Sequence, residues 1–185
     1  MSDSRFPPAD RIPLEIWSNI FLECLPSHDQ PYVWPSLSFA PLLLCQVNRA
    51  WRSTALSLTC LWSSISIEVS RNSDTEEMAE GIGTWLGRSG TRPLAISLLI
   101  DQDCWEGLGV NRDLDPILDR LISFIGRWEI VRLELCGPFS GSMSNIHLLR
   151  APLLKRCEVY FLWVGNVVEQ FSSMLSSCPH LTEFV

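Results

Sequence analysis

One apolar frame recurs along the second part of the chain and constrains its fold more than any other feature. It appears as Trp62, Ile65 and Ile67, as Trp128, Val131 and Leu133, as Leu154, Cys157 and Val159, and in shortened form as Leu181 and Phe184. "PLAISL" is a degenerate fifth member, and the interval is irregular, about 25 to 40 residues. Within each frame the apolar residues alternate as a half-buried strand requires. Helix signals stand between the frames. Ser73 and Glu76 have the spacing of a capping box ahead of Met78, Ile82, Trp85 and Leu86, and Gly87 to Gly90 mark the end of that helix. Asp115 and Pro116 open another, running to Ile125, "SNIHLLRAPLL" reads as a shorter helix or turn, and "NVVEQFSSMLSSCPHL" leads into a last strand, "TEFV". Strand then helix, repeated, predicts an α/β solenoid over residues 63–185. The alternative is an ordinary α/β domain whose strands share the period of two.

The first 62 residues have a different character. In "RIPLEIWSNIFLECLP" Pro13 starts a helix, because its missing N–H costs nothing in a first turn. Leu14, Trp17, Phe21 and Leu25 recur at helical spacing, and Ile16 with Ile20 widens the stripe to most of the circumference. A helix this apolar needs cover on more than one side. Pro26 stops it, and the segment to Pro35 reads as a loop. "PSLSFAPLLLCQV" is a second apolar stretch, and Asn48 is placed to cap a third helix carrying Trp51, Ala55 and Leu56. Three short helices make a small bundle, preceded by a flexible N-terminus over residues 1–10.

Composition narrows the function classes. The chain of 185 residues is 46% hydrophobic and only 19% charged, which predicts apolar surface buried against a partner or against further chain. A net charge of -7 leaves no basic footprint for nucleic acid or an anionic membrane. Seven cysteines without a CxxC pair suggest neither a zinc ribbon nor a disulfide framework, and most are expected in the core. No signal peptide, sequon or membrane span is visible, so an intracellular location, cytoplasmic or nuclear, is expected. His28, His147 and His180 are scattered, and G-x-S-x-G, H-E-x-x-H and phosphate-cradling loops are absent. No catalytic residue, metal or cofactor is therefore assigned.

The ordered elements "IPLEIWSNIF..CL" and "CQVNRAW...AL......LW" resemble the F-box, a helical module of about 50 residues that docks on the Skp adaptor of Skp, cullin and F-box (SCF) ubiquitin ligases. The match covers residues 11–62. Pro13, Glu15, Ile16, Ile20, Phe21 and Leu25 stand at the family's first-helix positions, and Val47, Trp51, Ala55, Leu61 and Trp62 at its later ones. Ile12 replaces the usual Leu, Asn48 stands where Cys is common, and "PSHDQPYVWPSLSF" lengthens the first connection. The frames downstream are similar to a leucine-rich-repeat arm, in the style of the expanded F-box families of mushroom-forming fungi. The resemblance implies an adaptor-binding set of Ile12, Pro13, Leu14, Glu15, Ile16, Ile20, Phe21, Leu25, Val47, Trp51, Leu61 and Trp62, and through the adaptor a cullin. It also implies an arm that holds an unknown protein target while other subunits transfer ubiquitin. The acidic loop "IDQDCWEGLGVNRDLD" is the candidate target contact, with Asp101, Asp103 and Trp105, and Trp163 is a further exposed candidate. The arm is expected to be incomplete, since the sequence stops as a strand begins. A non-catalytic scaffold that assembles no ligase is the competing reading.

Overall fold

The computed structural model of the chain describes residues 12–25, 31–100, 114–135, 141–161 and 167–185. Helices come first: α1 (Leu14–Glu23), α2 (Leu44–Val47), α3 (Arg49–Ser57) and a 3-10 turn over Thr59–Trp62. Strands and helices then alternate as β1 (Ser64–Val69), α4 (Thr75–Arg88), β2 (Leu94–Ile100), α5 (Asp115–Ile122), β3 (Trp128–Leu135), β4 (Arg156–Phe161), α6 (Val167–Ser176) and β5 (Glu183–Phe184). Between β3 and β4 the described connection is a 3-10 segment, Ser142–Leu148.

The five strands form one sheet in the order β1-β2-β3-β4-β5, with every neighbouring pair parallel. The recurring frame is in register across it. Ile65 pairs with Ile96, Ile96 with Val131, Val131 with Cys157 and Cys157 with Phe184, and the next row joins Ile67, Leu98, Leu133 and Val159. All but Phe184 are buried, in one core with Ile82, Leu86, Ile117, Leu121 and Phe171 from α4, α5 and α6. The intervening residues point to the other face, where Ser66, Ser97, Arg132 and Glu158 share a row. Helices meet in chain order as well: α4 lies against α5, α5 against Ser142–Leu148, and that segment against α6.

A mixed α/β fold is thus observed, but its units are unequal. α4 has 14 residues, α5 has 8, and the third connection is 3-10 rather than α-helical. Neither an F-box nor a repeat solenoid is established by this topology. Among the described residues no helix is long and apolar enough to cross a membrane.

Three local expectations are corrected. Pro13 is the N-cap rather than the first helical residue: its ψ is 149°, and its carbonyl accepts from the Ile16 and Trp17 amides at 3.0 and 3.2 Å. The second apolar stretch is α-helical only over Leu44–Val47, because Asn48 is extended there and begins α3 as its N-cap. The cap of α4 is Asp74, whose carboxylate accepts from the Glu76 and Glu77 amides, both at 3.1 Å. Ser73 is used in the preceding turn, where its hydroxyl accepts from the Ser70 amide at 2.9 Å. Asp74→Ala is accordingly expected to cost about 1 kcal/mol in chemical denaturation, the usual worth of such a cap.

The connection expected as a plain loop has a structural task. Residues 31–36 run beside β1, with the Ser66 amide donating to the Val33 carbonyl at 2.7 Å and the Ser64 hydroxyl donating to the Pro31 carbonyl. Val33 is buried by this. A strip with proline at positions 31 and 35 thereby lies along the first half of the sheet's outer edge.

Candidate docking surface

The helical segments are anchored through aromatic side chains. Trp17 and Phe21, one turn apart on α1, meet Trp51 of α3 with ring centroids 5.1 and 5.2 Å away. Trp51 is positioned by the α3 cap, where its amide donates to the Asn48 side-chain oxygen at 2.9 Å. Trp62 fastens these helices to the sheet. Its indole N–H donates to the Ala55 carbonyl at 2.8 Å, its ring meets Trp85 edge-on at 4.9 Å, and the Arg88 guanidinium lies 4.6 Å above it. Trp85 in turn donates to the Ser64 carbonyl at 2.9 Å.

With Trp17 and Phe21 turned inward, helical geometry forces Ile16 and Ile20 outward. They are 48% and 40% exposed, beside exposed Pro13 and Glu15. A second apolar strip follows the proline-rich connection. Leu37, Phe39, Leu43 and Val47 are exposed, with Leu37 the most open at 67%. The Leu43 amide donates to the Phe39 carbonyl at 2.9 Å, so Phe39, Leu43 and Val47 follow each other at one-turn spacing. The Gln46 side chain ties this ramp down by donating to the Leu37 carbonyl at 2.8 Å.

The residues expected to meet an adaptor therefore divide. Pro13, Glu15, Ile16, Ile20 and Val47 are exposed, and Ile12, Leu25 and Trp51 are partly buried. Leu14 is the first residue of α1. Phe21, Leu61 and Trp62 are fully enclosed, and serve the interior instead of presenting a surface. Asp101, Asp103, Trp105 and Trp163 lie outside the described residues. Leu37, Phe39 and Leu43 were not foreseen. The spacing of Phe39, Leu43 and Val47 was the available signal, hidden by the prolines around it.

On the sheet's polar face, Arg132 lies 3.5 Å from a Glu134 carboxylate oxygen and 5.4 Å from the Tyr160 ring centroid. Burial pushes the Tyr32 hydroxyl up to about 12, helped by Glu158 and opposed by Arg132 and Arg156, which places Tyr32 within electrostatic reach of this face. Cys157, expected in the core, is buried and its thiol is likewise pushed up to about 12, chiefly by burial. Such a thiol stays protonated and inert at neutral pH. Among the described residues no cluster of three or more His, Cys, Asp or Glu is placed to hold a metal.

No family model, no curated protein and no solved structure matches the chain. The geometry itself defines a parallel-sheet α/β chain with uncovered apolar helical surface.

Proposed function

We propose that this chain is an F-box substrate receptor of a Skp, cullin and F-box ubiquitin ligase. Its N-terminal helices dock the Skp-type adaptor, and residues 63–185, as a leucine-rich-repeat-like arm, hold a protein target. The observation that carries the reading is the division of α1: Trp17 and Phe21 lock the helix in place while Ile16 and Ile20 are about half exposed on its outer side. A helix held by its own core is pre-organised, so docking on its outer side requires little ordering. Such a side chain contributes roughly 1.5–3 kcal/mol when buried from full exposure, and about half of that from the half-exposed state. The target-holding reading draws support from the polar face of the parallel sheet, which carries Arg132, Glu134 and Tyr160. In this role the chain performs no chemistry, and the transfer of ubiquitin belongs to other subunits.

Co-expression of the chain with a Skp-type adaptor, followed by affinity capture and size-exclusion chromatography, tests the proposal. A one-to-one complex is the expected result. A folded chain that elutes alone in the presence of adaptor refutes it and leaves the scaffold reading, in which the same apolar strips meet a different protein.

A further inference from the structure

A cleft of about 580 Å³ opens where the strip along β1 turns away at Pro35. One wall is α4, which turns Met78, Gly81, Ile82, Trp85 and Arg88 toward it at helical spacing. Trp34, Pro35 and Leu42 form the opposite wall, and Ile65–Glu68 of β1 the floor. The volume lies within the range of small-molecule sites, about 300–1,000 Å³, and the lining is mostly apolar and aromatic, as in such sites.

The cleft is elongated and electrically polar. From Met78 to Arg88 the helix rises about 15 Å, at 1.5 Å per residue. Arg88 stands at one end, near Trp85 and the start of β1. Among the described residues it makes no ion pair, and its guanidinium is partly buried against Trp62. Glu68 borders the cleft through the β1 edge, with its side chain on the opposite, polar face beside Ser66. An apolar trough with a cation at one end selects both the shape and the direction of a ligand.

We infer that this cleft binds an elongated apolar small molecule with one terminal anionic group, the chain lying along α4 and the anion at Arg88. The guanidinium supplies a forked donor that matches a carboxylate, and the reverse orientation would bury the anion in the apolar end beside Met78. The site rests on α4, β1 and the strip, so it stands independently of the adaptor reading.

Gly81 provides a clean test. A Cβ built there meets nothing within 4 Å, whereas one at Gly83 meets Arg120 at 3.0 Å. Gly81→Leu therefore starts from open space at Cβ, extends into the cleft, and replaces glycine in a helix interior. The full chain would be titrated calorimetrically with decanoate and with the neutral decanol. Decanoate is expected to bind at one equivalent, about tenfold or more tighter than decanol, the loss expected without one charge-assisted pair. Arg88→Gln should remove that preference. Gly81→Leu should weaken both probes by about tenfold or more without lowering the unfolding temperature. Thr84→Phe, at an exposed position lining the same cleft, should do the same and serves if Gly81→Leu disturbs the helix. Equal affinity for decanoate and decanol overturns the assignment of Arg88. Binding that survives both Gly81→Leu and Thr84→Phe, or no saturable binding, overturns the site. Adaptor capture by the Gly81→Leu chain is expected to match the unaltered chain, which separates failure here from failure of the receptor reading.

Discussion

Replacing Ile16 and Ile20 together by aspartate is expected to abolish adaptor capture while leaving the fold intact. Both side chains are roughly half exposed, and neither belongs to the buried core. The residues that hold α1, Trp17 and Phe21, are untouched. Docking can bury at most about half of each side chain, so losing the two anchors forgoes roughly 1.5–3 kcal/mol, about one to two decades in affinity. Two carboxylates in an apolar interface add a desolvation cost on top. The cost to the free chain is small, because aspartate in place of isoleucine in a helix changes intrinsic propensity by a few tenths of a kcal/mol. Capture by immobilised adaptor, read beside circular dichroism and a thermal melt, checks it. Capture unchanged would remove α1 from the docking surface, and a collapsed melt would show that Ile16 and Ile20 serve the interior.

Trp62→Ala is expected to have the opposite profile, with a large loss of stability throughout the chain. Truncating a buried tryptophan costs about 3–5 kcal/mol. Here the Ala55 carbonyl also loses its donor, Trp85 its edge-on partner and Arg88 its platform. For a chain of this length each kcal/mol lowers the melting temperature by about 2–4 °C, so a fall of about 6–20 °C follows. Because Trp62 joins α3 to α4, the signals of the helical segment and of the sheet should fall together. A decrease under about 2 °C would show that the two are not fastened through this residue.

Much of the sheet was legible because its cause is local. Ile65 and Ile67, or Val131 and Leu133, alternate with polar residues, and that pattern permits one pleated face to be buried whatever lies elsewhere in the chain. Asn48 as a cap was legible for the same reason, since a cap needs only the next three residues. Competition between adjacent candidates was harder to read: Ser73 and Asp74 both suit a cap, and a turn that engages Ser73 decides between them. The division of α1 was not legible at all. When Ile16, Trp17, Ile20 and Phe21 are all apolar, periodicity marks no inner side, and only contact with Trp51 selects it. The cleft beside Trp34 depends on segments far apart in sequence, beyond any pattern of spacing. Phe21, Leu61 and Trp62 were assigned to a surface through the resemblance, which carries positions without saying which side of a helix they occupy.

The strip over residues 31–36 bears on association between chains. Its hydrogen bond from Ser66 to Val33 occupies the start of the β1 margin. A further strand approaching there would have to displace the strip before it could reach the Ser66 amide. Proline at positions 31 and 35 lacks the N–H that an incoming strand would pair with. The strip thus guards this part of the sheet against edge-to-edge association.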